Sequence, residues 1–337
     1  MNKFFIKISL VFTMLSFVAC AERGIDIVNL RCDYMESPLG IDNLNPVLQW
    51  QLISEGTGKS QSAYRIIVSD DLSLIKRGQG DYWDSGKVLS SESIVRYQGK
   101  KLSARMQLYW KVMVWDECDV PSEWSNIADW SMGLPYPSDW KAQWIGNRED
   151  IFPDSTLTFP APYFRKEFVV AKPVKKAMAY VCGLGFYEMY FNGERVGEQV
   201  LAPAVTNYDR RSLKKLLYHY DDQSTQRVFY NVFDVTGNLK MQNNAIGIIL
   251  GNGWYNQRDR TVEGHMWYDV PKMILQLEIE YEDGAKEMIV QQDHYCMMLY
   301  LRGKFMMLVK IWDVGIENPM MIIYGNQHYK SDRLPVR

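Results

Sequence analysis

The stretch PVLQWQL, residues 46–52, alternates. Val47, Gln49 and Gln51 fall on one side of an extended chain, and Leu48, Trp50 and Leu52 on the other. The same two-residue period returns in SAYRIIVSDD, YWDSGKV, LYWKVMVWDE and ADWSMGL, with Gly, Ser and Asp between the runs. No apolar stripe of helical period interrupts them. A chain patterned this way buries one face of each strand, so residues 25–136 are expected to form a sandwich of seven strands. Trp50 and Trp110 lie on the apolar sides and are read as core. Trp124, in the polar loop VPSEWSN, fits core packing and a sugar platform equally.

LPYPSDWKAQWIG, residues 134–146, stops one sheet with two prolines and starts another with Trp140 and Trp144, so residues 137–154 are expected as a linker. Alternation then resumes. YFRKEFVV, the hairpin FNGERVG, the strand NNAIGIILGNGWYN with its glycine-rich end, and PKMILQLEIEYEDG predict a second sandwich over residues 155–290. Asn192-Gly193 is a type I′ turn signal, which makes Asn192 a turn residue with positive φ before it is a ligand.

Composition narrows the function classes. A formal charge of −2 gives no reason to expect a nucleic-acid partner. Eight of the 11 Trp lie between Trp50 and Trp144, as suits pleated sheet faces. The first 20 residues, MNKFFIKISLVFTMLSFVAC, pair Lys3 and Lys7 with an apolar run too short to span a bilayer, then end in Ala19-Cys20. This is the pattern of an export signal with lipidation of Cys20. It implies attachment to a membrane through the lipid and a location in the periplasm or at the outer membrane. Ordinary signal cleavage nearby is the alternative. Cys32, Cys118, Cys182 and Cys296 have no metal spacing; a Cys32–Cys118 bridge or buried free thiols both fit.

The order Trp50, YRIIVS, YWKVMVWD, PSEWS resembles a fibronectin type III domain, the kind that opens bacterial α-L-rhamnosidases of glycoside hydrolase family 78. GLGFYEMYFNGERVGEQVLAPAVTNYDRR, YHY, FDVT and NAIGIILGNGWY then stand in the order of that family's N-terminal jelly roll. One departure is Ala204-Val205, where the family has an aromatic pair after LAP. The resemblance covers residues 25–290. It implies an all-β chain, a fibronectin type III or immunoglobulin-like sandwich followed by a jelly-roll sandwich. It also implies an intact enzyme that releases terminal L-rhamnose with inversion.

Inverting hydrolysis needs two opposed carboxyl groups about 6.5–9.5 Å apart. The family carries them on an (α/α)₆ barrel that follows these sandwiches, and this chain has neither long amphipathic helices nor that barrel's acidic motif. No residue is therefore assigned a catalytic role. His219, His265, His294 and His328 are scattered, and no P-loop, dinucleotide fingerprint or serine elbow is present. A binding role remains as the alternative: a carbohydrate-binding lipoprotein for rhamnose-containing glycans, with Asn207, Tyr208, Asp209, Trp254 and Tyr255 as contact candidates at strand ends. No cofactor is required, and calcium is compatible with such a site by analogy with a related module of the family.

Residues 291–337 read differently. Three Met-Met pairs, at 297–298, 306–307 and 320–321, follow 290 residues that hold none. Methionine has the single codon ATG, so each pair read from the third base contains GAT, an aspartate codon. Over Gly303 to Val309 the shifted frame permits Glu-Val-Tyr-Asp-Ala-Arg, close to a motif that the family carries after its jelly roll. An out-of-frame tail, non-native or disordered, is therefore expected. A soft Met-rich surface is the alternative.

Overall fold

The computed structural model describes residues 24–54, 58–146, 161–206, 208, 227–256 and 270–290. It adds the backbone alone of 296–301, 304–308, 312–313 and 321–324. The chain forms two compact units: residues 1–38 with 43–131, and residues 39–42 with 132–337.

In the first unit the strands are β1 (Asp26–Cys32), β2 (Val47–Ile53), β3 (Gln61–Ser69), β4 (Trp83–Asp84), β5 (Val88–Leu89), β6 (Ile94–Arg96), β7 (Gln107–Asp116) and β8 (Ala128–Ser131). One sheet runs β1-β2-β6. The other runs β4-β3-β7-β8, with β5 also on β3. The expected seventh-strand count holds if β4 and β5 are one strand broken at Gly86, whose φ of +60° ends the run. Among the described residues the one α-helix, α1 (Leu72–Lys76), is short and is started by Asp71, whose Oδ1 accepts the Ser73 N–H at 2.7 Å.

The alternation of β2 is realised: Leu48 and Trp50 are buried while Gln51 and Ile53 are exposed. Trp110 and Trp50 are core, as read from the sequence. The Trp50 indole N–H donates to Gln61 Oε1 at 3.0 Å, and its ring meets Tyr64 edge-on at 5.5 Å. Gln61 spends its own amide on the carbonyls of Ser90 and Glu92, so one buried side chain ties together three segments. Among the described residues Cys32, Cys118 and Cys182 form no disulfide. Cys32 is buried, and Cys118 is exposed in a polar turn, which corrects the expectation of either a bridge or a buried thiol there.

The second unit contains β9 (Ile145–Gly146), β10 (Pro162–Val170), β11 (Val174–Leu184), β12 (Phe186–Phe191), β13 (Glu194–Arg195), β14 (Arg227–Asp234), β15 (Gln242–Gly251), β16 (Lys272–Tyr281) and β17 (Lys286–Val290). One sheet is built on β13-β12-β15-β10 and the other on β9-β16-β11-β14, with β17 also on β16. Their inner faces enclose Phe164, Phe168, Ala179, Met189, Phe191, Ile246, Ile248, Leu275 and Leu277.

Four more strands lie where a tail was expected: β18 (Cys296–Leu301), β19 (Lys304–Leu308), β20 (Trp312–Asp313) and β21 (Met321–Tyr324). β18 pairs antiparallel with β10, and β21 pairs parallel with β14. An open sheet edge presents backbone N–H and C=O groups without reading side chains, so it accepts any extended segment of suitable length.

The stretch expected as a joint packs as an arm of the second unit. Trp140 is buried against Tyr230 at 5.3 Å and Tyr180 at 6.5 Å. The Leu134 N–H donates to Tyr230 Oη at 2.7 Å. Gln276, fully buried, accepts the N–H groups of Lys141 at 2.6 Å and Ala142 at 3.3 Å. The arm thus covers the outer face of the β16-β11-β14 sheet. The first six residues of β16 are buried without alternation as a result.

Candidate functional site

The Asn192-Gly193 turn has φ values of +52° and +88°, and the Asn192 side chain is wholly used. Its Nδ2 donates to Asn238 O and Asn244 Oδ1, each at 2.9 Å, and its Oδ1 accepts the Ala245 N–H at 3.0 Å. It braces the hairpin and is not free for a ligand.

The aromatic candidates gather at the far end of β12 and β15. Gly253, with φ +52°, sits so close to the preceding strand that a Cβ would lie 2.9 Å from the Phe186 nitrogen. Gly185, with φ +129°, would put a Cβ 2.2 Å from Gly251 O. Only glycine allows these two backbones to touch, and the contact turns Trp254 and Tyr255 out of the strand. Tyr255 then meets Tyr208 edge-on at 5.2 Å, and both rings are buried at 5% exposure. One ring's edge meets the other's face, and neither ring is open to solvent. Trp254 is half-buried. Asn256 is buried and its Nδ2 has no hydrogen-bond partner among the described residues, a polar atom that sequence reading did not single out. Asn207, Asp209 and Cys20, like all four histidines, lie outside the described residues.

A general acid for glycoside cleavage needs a carboxyl whose pKa is raised. Among the described residues every carboxylate with a clear shift goes the other way: Asp71, Asp84, Asp116, Glu117, Glu280 and Asp283. Hydrogen bonds from Arg65 hold Asp84 down, and the Ser60 N–H, with help from Lys59, holds Glu117 at about 2. Such groups stay ionised and brace loops. No group of three or more His, Cys, Asp or Glu among the described residues is placed to hold a metal ion.

A second cluster decorates the outer face of the first unit. Ser122 and Ser125 each pair with β7 twice. Their N–H groups donate to Val114 O and Val112 O, and their hydroxyls accept the N–H groups of Val114 and Val112. This lays Trp124 over the sheet, with the Arg65 guanidinium 5.7 Å and the Lys111 ammonium 4.9 Å from its ring centre.

Comparison with known proteins fits both sandwiches. Residues 27–136 match the Rha78A-like, N-terminal immunoglobulin domain, and residues 172–299 match the alpha-L-rhamnosidase N-terminal domain. An alpha-L-rhamnosidase of Formosa agariphila is 35% identical over 288 residues, covering 79% of this chain and 29% of the relative. Another, from an Alteromonas species, is 33% identical over 265 residues, with 77% and 27% covered. The solved structure of alpha-L-rhamnosidase from Dictyoglumus thermophilum superposes with a TM-score of 0.69 at 38% identity, over 81% of this chain and 30% of that one. The chain spans less than a third of the length of these relatives. It belongs to the α-L-rhamnosidase family and carries the two β domains of that family's N-terminal region.

Proposed function

We propose that this chain supplies the non-catalytic, N-terminal part of an exported α-L-rhamnosidase and does not cleave rhamnosides by itself. One observation carries the reading: the family's N-terminal domains are both here, in a chain that corresponds to 29% of a full-length relative. The Lys3, Lys7 and Cys20 pattern supports delivery through a lipoprotein signal to the periplasm or outer membrane. The substrate of the complete protein, on this reading, is a glycan ending in L-rhamnose. Purified chain incubated with p-nitrophenyl α-L-rhamnoside should release no p-nitrophenol, and measurable turnover would overturn the proposal.

The half-buried Trp254 supports a second reading, a sugar contact at the end of β15. Calorimetric titration with L-rhamnose, with and without calcium, tests it; the absence of heat at millimolar sugar argues against it. Nucleotide sequence across codons 287–325 tests the out-of-frame origin of the tail.

A further inference from the structure

Lys111 is the anomaly of the first unit. It occupies the outer face of β7, opposite Ile67 of β3, and only 7% of the residue is exposed. No carboxylate among the described residues pairs with its ammonium, which faces the Trp124 ring. Arg65, the other cation on that ring, is already committed to Asp84 through two hydrogen bonds of 2.9 and 2.6 Å. Glu123, next to Trp124 in sequence, is exposed and does not pair with Lys111. The locus therefore holds one uncompensated positive charge.

The geometry also leaves that charge reachable. Among the described residues the enclosed side-chain nitrogens without partners belong to Trp110, Trp130, Trp140 and Asn256; the Lys111 ammonium is not among them, as fits a tip at the surface on a buried stem. A buried cation is costly to leave unpaired, and a π face offsets part of that cost. Burial lowers the Lys111 pKa, as expected where no anion is at hand. A carboxylate arriving from outside would complete the pairing. The indole edge beside it provides apolar surface for the ring that bears the carboxylate.

We propose that Trp124 and Lys111 form a contact site for an acidic sugar, a pyranose bearing a carboxylate, on the open face of the first sandwich. The ammonium would donate to the carboxylate, and the indole would cover one edge of the ring. Arg65 and Asp84 hold the indole in place, and Ser122 and Ser125 hold the loop. This site is separate from the Trp254 end of the second unit and stands whether or not L-rhamnose binds there.

The test is saturation-transfer NMR on the full chain with D-glucuronate and D-galacturonate, against D-glucose, acetate and triglutamate. Each is titrated to about 50 mM, a range that registers millimolar affinity. Uronate signal should exceed that of glucose and acetate, and weaken in about 1 M salt, where screening acts over about 3 Å. Lys111→Met should weaken uronate about tenfold, the usual worth of a charge-assisted hydrogen bond, while Lys111→Arg should retain it. Far-UV circular dichroism checks that both variants fold. Should Lys111→Met misfold, the salt dependence and the glucose comparison on the unaltered chain still decide the matter. Equal binding of glucose and glucuronate, no uronate binding, or a folded Lys111→Met with unchanged binding would each overturn the site. Acetate or triglutamate binding as tightly as uronate would overturn its assignment to a sugar.

Discussion

β7 and β16 are both ten-residue strands at the centre of a sheet, one in each unit, yet they treat their outer faces in opposite ways. Along β7 the inner positions Leu108, Trp110, Val112 and Val114 are fully buried, while on the other face Tyr109, Met113 and Trp115 are half-exposed and Lys111 is buried beneath Trp124. Along β16, Lys272, Ile274 and Gln276 on the outer face are as buried as Met273 and Leu275. The cause is the arm through Trp140, which lies along one sheet; over β7 the loop through Trp124 covers Lys111 and leaves Tyr109, Met113 and Trp115 half-exposed. A strand shows a clean two-residue period only when one face stays wet.

Four outcomes would break or sharpen this contrast. Trp140→Ala removes the ring that packs on Tyr180 and Tyr230 and should destabilise the second unit by about 3–5 kcal/mol in urea unfolding. Trp115→Ala on the open face should cost clearly less, and equal losses would erase the distinction. Gln276→Leu leaves the Lys141 and Ala142 N–H groups without their acceptor and should cost about 1–3 kcal/mol, with faster amide exchange at those two positions. Asn192→Ala breaks three hydrogen bonds and puts an alanine at φ +52°, for about 1–2 kcal/mol by the same assay.

The smallest effect is acidic and belongs to the first unit. Glu117 is held at about 2 by the Ser60 N–H and Lys59, below its ordinary value of about 4.3. A depressed carboxylate stabilises the fold above its unfolded pKa and loses that contribution as pH falls toward the folded one. The unaltered chain should therefore melt higher than Glu117→Gln at pH 7, and the gap should close between about pH 4 and pH 2. A gap that persists at pH 2 would show that the carboxylate charge is not responsible.

Much of this architecture could be read from residue types alone. Period-two runs placed Leu48, Trp50 and Trp110 in a core, and Asn-Gly announced the turn at 192–193. What escaped was anything set by long-range cover. Nothing in LPYPSDWKAQWIG shows that it will fold back onto PKMILQLEIEYEDG, so Gln276 and Lys272 look like ordinary solvent-facing polar residues. Trp124 was ambiguous for the same reason, because its role depends on Arg65 and Lys111, which lie 59 and 13 positions earlier in the chain. Among the sugar candidates, Tyr208 and Tyr255 came together as neighbours, but edge-on and buried. Proximity of aromatic residues is legible in a motif; which face they turn outward is not.

The four residues Leu39–Asp42 carry a consequence of their own. They sit inside the amino-acid span of the first sandwich but fold with the second unit, where the Gly133 N–H donates to Ile41 O at 2.7 Å. A Cβ on Gly133 would lie 2.5 Å from Gly40 O, so the two threads run in backbone contact. The polypeptide thus passes between the units at residues 38–39, 42–43 and 131–132. A cut at 131–132 would keep every residue of the first unit on one fragment but strip the second of Leu39–Asp42, so no single scission can liberate the second unit whole.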